Sequence, residues 1–102
     1  MKIQGIYYTR QIFVNGKELL PAESQKVRNH SPDGFSWGYN GSGPAQLALA
    51  ILLVFLPKEQ AVSIYQDFKR EVVAVLDKDF EIEIDLKKWV DQRYGTEMQT
   101  QI

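Results

Sequence analysis

A polar loop that precedes the most apolar segment of the chain holds the residue types best suited to chemistry. The loop reads "NHSPDGFSWGYNGSG", and its reactive side chains are those of His30, Ser31, Asp33, Asn40 and Ser42. A histidine, a carboxylate and a hydroxyl are the groups of a base, an orienting acid and a nucleophile. A hydrolase site is therefore the first hypothesis to test against the spacing.

The spacing of these residues does not match a catalytic motif. The Gly-x-Ser-x-Gly pattern of a nucleophile elbow is absent around Ser42. His30 and Asp33 supply two ligands, which is fewer than a zinc site needs. We therefore predict no catalytic residue, no metal and no cofactor.

The same loop leads into a helix N-terminus, where unpaired backbone N–H groups can bind an anion. Pro44 fits the first helical position, with Gly43 as the N-cap. The segment "GSGP" lacks the lysine of a P-loop, so no nucleotide site is expected. The candidate site for a small ligand or anion consists of His30, Asp33, Trp37, Tyr39, Ser42 and Gly43.

A purely structural role for the loop is the favoured alternative. An oxygen of Asp33, Asn40 or Ser42 would cap the helix and satisfy its first N–H groups. His30 would then make hydrogen bonds that hold the loop over the helix.

The segment "FSWGY" alternates aromatic residues with small ones. An extended chain would place Phe35, Trp37 and Tyr39 on one side, so we expect a strand whose aromatic face lies on the core. A stacking surface for a base or a sugar is the alternative, but the interleaved residues are Ser36 and Gly38 rather than basic ones.

The segment "FEIEID" has the period of a half-buried strand, with its apolar residues facing inward. The exposed side would carry Glu81, Glu83 and Asp85. Such a row of carboxylates is typical of a solvated edge that resists aggregation. The functional alternative is an acidic docking strip for a basic partner.

The N-terminal part of the chain predicts a β-hairpin. Residues 3–8 and 11–14 are rich in β-branched and aromatic types, and Asn15-Gly16 is a strong signal for a type I′ turn before a return strand at 17–20. Residues 23–29 are ambiguous, and a short edge strand at 26–28 is one interpretation. "SPDG" then predicts a type I turn.

Three helices are expected after the loop. Residues 45–56 are apolar on all sides except at Gln46, which predicts a central helix surrounded by protein. A second, amphipathic helix is predicted over 58–76, with its apolar stripe at Ala61, Tyr65, Phe68, Val72 and Leu76. Asp85 can cap a last helix that bears Leu86, Trp89 and Val90 on one side and stops at Gly95.

This order of elements predicts an α+β fold. A mainly antiparallel sheet with an N-terminal hairpin would pack on the central helix and the amphipathic helix, followed by a C-terminal strand and a short helix. Residues 1–95 would form a single domain, and residues 96–102 would form a loose tail.

Composition narrows the function classes. The chain has 102 residues, a formal net charge of −1 and no cysteine. The nearly neutral charge disfavours nucleic-acid binding, and the absence of cysteine fits a cytoplasmic location. The apolar run at 45–56 is shorter than the roughly 20 residues of a membrane span, so no membrane partner is expected.

Residues 26–52, together with "YQDFKREVVA" and the later "DF", resemble a family of small uncharacterised proteins. Its distinctive pattern is NHSPxGFxWGYxGSGPAQLALAIL, and the resemblance covers most of residues 26–90. Members occur in bacteria, phages and mobile elements and are known as a domain of unknown function. The resemblance implies no catalytic residue, and its setting suggests an accessory or anti-defence role.

Two functions remain as expectations. The first is a small, non-enzymatic protein-binding or regulatory module whose partner is another protein. The second is a small-ligand or anion-binding protein with its site at the N-terminus of the central helix.

Overall fold

Four short strands form an antiparallel sheet. The computed structural model describes residues 1–95, and the tail expected at 96–102 lies outside them. The strands are β1 (Lys2–Ile6), β2 (Gln11–Val14), β3 (Lys17–Leu19) and β4 (Phe80–Glu83). Their order is β3-β2-β1-β4, so the C-terminal strand joins the N-terminal hairpin at one edge of the sheet. The α+β class and the antiparallel sheet predicted from the sequence are confirmed.

The hairpin turn has the geometry that Asn-Gly predicts. The φ angles are 51° at Asn15 and 82° at Gly16, both in the left-handed region that a type I′ turn requires. Strand β1 is shorter than expected, because residues 7–10 form a turn after Ile6. The Tyr7 N–H donates to Oδ1 of Asp79 at 2.9 Å and fixes this turn beside the start of β4.

Within the described residues 1–95, four helices complete the fold. They are α1 (Ala22–Val27), α2 (Ser42–Phe55), α3 (Lys58–Glu71) and α4 (Leu86–Tyr94), with a 3-10 turn at Val73–Val75. The short edge strand considered for residues 26–28 is wrong, because α1 covers most of that segment. Helix α3 ends at Glu71 and not at residue 76 as predicted, and three valines lie within the next four positions. β-Branched residues lose side-chain freedom in a helix, which favours the tighter turn there.

Helix α2 forms the centre of the fold over most of its length. Residues 43–52 are buried, as the apolar sequence predicts. The last turn differs, because Val54 is 51% exposed and Phe55 is 39% exposed. None of the helices within residues 1–95 has both the length and the apolar character of a membrane span.

One face of the sheet belongs to the core. Ile3, Ile12 and Val14 are buried in the same cluster as the leucines of α2. Gly5 lies on this face opposite Phe80, whose ring occupies the place of a side chain, since a Cβ atom at Gly5 would lie 2.2 Å from that ring. An aromatic ring stacked over a strand glycine fixes the register of the two strands.

The strand predicted for "FSWGY" is wrong, although part of its burial pattern is right. Residues 34–37 have no regular structure, and Phe35 and Trp37 are buried while Tyr39 is 48% exposed. Gly38 has a φ of 85°, which turns the backbone out of an extended path. Tyr39 therefore does not share the buried side with the other two rings.

The C-terminal helix begins and ends as predicted. The Lys88 N–H donates to Oδ1 of Asp85 at 3.0 Å, so Asp85 is the N-cap of α4. Gly95 follows the helix with a φ of 78°. Leu86 and Val90 are buried on one side of α4, and Trp89 packs edge-on against Phe68 of α3 at 5.1 Å between ring centroids.

Candidate functional site

The loop before α2 is anchored by one buried side chain. Gln46 is fully buried, and its Oε1 accepts hydrogen bonds from the backbone N–H groups of His30 at 2.8 Å and Ser31 at 3.1 Å. Its Nε2 donates to Oγ of Ser24 at 2.9 Å and to the carbonyl of Arg28 at 3.0 Å. All the polar capacity of this carboxamide is therefore used to tie α1 and the loop to the central helix.

His30 bonds to a helix and not to the other reactive residues of the loop. Its Nε2 lies 2.6 Å from the hydroxyl of Tyr65, which is buried on α3. Together with the hydrogen bond from the His30 N–H to Gln46, this contact holds the loop over the central helix α2. The structure thus places His30 in the holding role that the sequence suggested.

The aromatic residues of the loop are divided between core and surface. Nε1 of Trp37 donates to the carbonyls of Asp77 at 2.8 Å and Lys78 at 2.7 Å, and its ring packs edge-on against Tyr7 and Phe80. Its N–H is therefore satisfied inside the fold. The exposed Tyr39 ring lies against the backbone of Gly41, where a Cβ atom would come within 2.7 Å of it.

The helix cap predicted from Asp33, Asn40 or Ser42 is wrong. Helix α2 begins at Ser42, two residues before Pro44, so its N-cap is Gly41, which has no side chain that could cap it. The "SPDG" turn is present, since the Gly34 N–H donates to the carbonyl of Ser31 at 3.1 Å. Because Pro44 occupies the first turn, one N–H group that could have bound an anion is missing there.

The six residues proposed for a ligand site therefore have different environments. Gly43 is buried against Ser36, with room for no Cβ atom, while Asp33 and Ser42 are exposed. Trp37 is buried and His30 faces Tyr65. Four surface depressions formed by residues 1–95 lie elsewhere, and none of these four is lined by any of the six residues. The anion site stays a prediction.

The acidic residues lie on the other layer of the fold. The face of the sheet opposite the core, here called the open face, is made by alternate residues of the four strands: Lys2, Gln4, Ile6, Gln11, Phe13, Glu18, Glu81 and Glu83. The Glu81 and Glu83 side chains on edge strand β4 are 58% and 76% exposed. Asp85 is exposed too, but its carboxylate is engaged in capping α4.

A depression of about 570 Å³ opens on this face. Its lining combines apolar Ile6 and Phe13 with the carboxyl-bearing residues Asp79 and Glu81, together with Gln4, Gly5 and Phe80. A cation with an apolar stem, such as a lysine or arginine side chain, matches an apolar floor with carboxylates at its side. Within residues 1–95, no three His, Asp or Glu side chains gather as metal ligands.

The basic residue nearest to this acidic row is Lys2. Its Nζ lies 3.5 Å from Oε2 of Glu81, and Nε2 of Gln4 donates to Oε1 of the same carboxylate at 2.9 Å. Exposed ion pairs of this kind contribute little to stability and exchange readily with other ions. Glu81 is therefore held in position without being closed off.

A depression of about 330 Å³ lies beyond the end of β4. It is lined by Met1, Phe55, Glu83, Ile84, Asp85, Leu86 and Lys87. The exposed Phe55 ring from the last turn of α2 is part of this lining. Edge strand β4 thus lies between two depressions that each combine apolar and acidic residues.

Sequence reasoning found the carboxylates of β4 but missed their apolar neighbours. The sequence pattern predicts strands at residues 3–8 and 11–14 but does not show which face Ile6 and Phe13 occupy, and it does not single out Asp79. Pairing "KIQGI" with "QIFV" from the Asn-Gly turn would have shown that Gln4 and Phe13 face each other on the side away from Ile3 and Ile12.

A second polar cluster joins α3 to α4 and serves stability. The Tyr94 hydroxyl donates to Oδ2 of Asp67 at 2.5 Å. Burial, and then the bond to Asp67, raises the pKa of Tyr94 to about 12. The hydrogen bond from the same hydroxyl lowers the pKa of Asp67, and the positive charge of Arg70 lowers it further. The cluster is a hydrogen-bonded link between two helices.

Comparison with known proteins gives a family but no activity. The model of a family of unknown function, DUF6166, matches residues 2–92. No curated protein and no solved structure matches the chain significantly. The match covers most of the sequence and agrees with the resemblance seen in residues 26–90. The chain therefore belongs to the DUF6166 family of unknown function.

Proposed function

We propose that this chain is a non-enzymatic protein-binding module that holds a basic partner on the open face of its sheet. The observation that carries the proposal is the depression of about 570 Å³, where Ile6 and Phe13 lie beside Asp79 and Glu81. An exposed apolar surface rimmed by charge is typical of an interaction site.

Charge supports a basic partner. The charged side chains on the open face are those of Glu18, Glu81, Glu83 and Lys2, and the N-terminal ammonium of Met1 lies 3.6 Å from Oε1 of Glu83. This local excess of negative charge exists although the whole chain has a formal net charge of only −1. Complementary charge speeds association and selects the partner, while apolar contacts supply more of the affinity.

The proposal also includes a cytoplasmic location and an accessory role in phages or mobile elements. The first rests on the cysteine-free composition and the second on the resemblance described above. Neither is needed for the binding surface, which is argued from charge and exposure alone.

Chemical-shift mapping with a defined probe tests the binding surface. The probe is the blocked pentapeptide Lys-Val-Lys-Val-Lys, and Glu-Val-Glu-Val-Glu is the control. We expect saturable shifts at Ile6, Phe13 and Glu81 with the basic peptide and none with the acidic one. Shifts confined to the helices, or equal shifts with both peptides, would contradict the proposal.

A further inference from the structure

Strand β4 leaves a row of backbone groups unpaired at the edge of the sheet. Met1 and Ile84 exchange two hydrogen bonds, of 3.0 Å and 2.9 Å. In an antiparallel ladder such pairs alternate with pairs that exchange none. The Ile3–Ile82 pair is therefore hydrogen-bonded like the Met1–Ile84 pair, whereas the Lys2–Glu83 pair between them is not. The backbone N–H and C=O groups of Glu83 consequently face away from β1.

The other side of β1 gives the same register independently. The carbonyl of Lys2 accepts a hydrogen bond of 2.8 Å from the Asn15 N–H, so the backbone of Lys2 faces β2 and not β4. Its partner on β4 is Glu83, and Gln4 is likewise opposite Glu81. Within residues 1–95, the outward N–H and C=O groups of Glu81 and Glu83 have no hydrogen-bond partner.

We infer that β4 accepts an extended basic segment of a partner protein as a fifth, antiparallel strand. The inference rests on the proposed function, since the partner is the same, and it adds how that partner is held. Addition of a strand to an open sheet edge obtains affinity from main-chain hydrogen bonds and specificity from alternate side chains.

The side chains of β4 determine the pattern of the added strand. A residue directly opposite Glu81 or Glu83 points to the open face, so a lysine or arginine there meets a carboxylate. The residue between them points to the core side, next to the half-buried Ile82. The partner segment therefore alternates basic and apolar residues, as in Lys-Val-Lys.

The depressions on either side of β4 fit this pattern. The one on the open face, with Glu81 and Phe13, receives the basic side chains and their apolar stems. The one beyond the strand, with Phe55 and Ile84, accepts an apolar residue on the core side. Both kinds of alternate side chain then have a place beside the same edge.

A second copy of this chain is a poorer occupant. Antiparallel pairing of two β4 edges places Glu81 of one copy beside Glu83 of the other on the same face. Like charges directly opposite each other destabilise a strand pair, and charged edge residues oppose self-association. The charge that opposes a second copy favours a basic strand.

Backbone methylation of a peptide probe tests strand addition separately from charge. In an antiparallel pair, the residue opposite Glu81 or Glu83 directs its own N–H toward β4. The blocked pentapeptide Lys-Val-Lys-Val-Lys is compared with two variants. One has a methyl group on the backbone nitrogen of two lysines, and the other has a methyl group on the backbone nitrogen of both valines. All three have the same charge and are titrated into the full chain.

We expect the lysine-methylated peptide to bind about tenfold more weakly or worse, because backbone hydrogen bonds are lost. The valine-methylated peptide should bind within about threefold of the parent, and the parent should slow amide exchange at Glu81 and Glu83. Equal affinity of all three peptides would overturn strand addition while the proposed function stands. Weakening by valine methylation instead would overturn the antiparallel register, and no binding of the parent would remove the proposed function itself.

Discussion

The side-chain carbonyl of Gln46 accepts a hydrogen bond of 2.8 Å from the backbone N–H of His30. This contact joins the central helix to the loop whose residues first suggest chemistry. Since the carboxamide also bonds Ser24 and the Arg28 carbonyl, one buried polar residue fixes α1, the loop and α2 together. These hydrogen bonds hold the loop over the helix, and the proposed binding surface lies on the sheet instead.

Replacing the buried carboxamide should be costly. Gln46→Leu keeps the apolar bulk but leaves the N–H groups of His30 and Ser31 and the Arg28 carbonyl without their partner. Each buried group left unpaired costs about 1–3 kcal/mol, so we expect a loss of about 3 kcal/mol in the free energy of unfolding, measured with urea. The same change at exposed Gln92 on α4 should stay within about 0.5 kcal/mol. Equal effects at the two positions would show that the network does not stabilise the loop.

Much of the fold could be predicted because its signals are local. The Asn15-Gly16 turn, the Asp85 cap and the end of α4 at Gly95 each depend on the conformation of a few neighbouring residues. The long apolar run identified α2, although it did not show that Val54 and Phe55 would stay exposed. Burial at the end of a helix depends on what packs there, which the run itself does not contain.

The errors arose where tertiary contacts override local pattern. The alternation in "FSWGY" predicts a strand, yet Gly38 turns the chain and its N–H donates to the carbonyl of Val73 at 3.1 Å. Six residues of α1 are too few to be stable alone, and the Gln46–Ser24 bond helps to hold them. The proposed binding surface depends on strand pairing between residues about 80 positions apart, such as Lys2 and Glu83, which periodicity cannot reveal.

The link between α3 and α4 should give a distinct pH dependence in alkali. The folded-state pKa of Tyr94 is raised to about 12 from 10.0, so its contribution to stability is fully present below pH 10 and is lost as pH rises toward 12. Tyr94→Phe should therefore flatten the fall in the free energy of unfolding across this window. The measurement is urea unfolding at several pH values. Tyr8→Phe, a change at a side chain 95% exposed, is the control. An unchanged alkaline slope in Tyr94→Phe would contradict this assignment.

Removing the cation beside Glu81 should strengthen binding of a basic peptide. Lys2 is 3.5 Å from the Glu81 carboxylate and competes with an incoming lysine. We expect Lys2→Gln to raise the affinity of Lys-Val-Lys-Val-Lys by about threefold, equivalent to roughly 0.7 kcal/mol. Lys17→Gln on β3 makes the same change in net charge and should have a smaller effect. A weaker complex with Lys2→Gln, or equal gains from both variants, would show that Lys2 does not compete at the site.

Charge reversal on β4 tests the central claim most directly. The double variant Glu81→Lys, Glu83→Lys is compared with Glu23→Lys, Glu59→Lys, which has the same net charge but changes exposed residues on helices α1 and α3. We expect the β4 variant to lose binding of Lys-Val-Lys-Val-Lys by about tenfold or more and to gain binding of Glu-Val-Glu-Val-Glu, both measured by titration calorimetry at fixed salt. The control should keep the preference for the basic peptide. Equal losses in the two variants would mean that net charge alone attracts the peptide and that the edge around β4 is not its binding site.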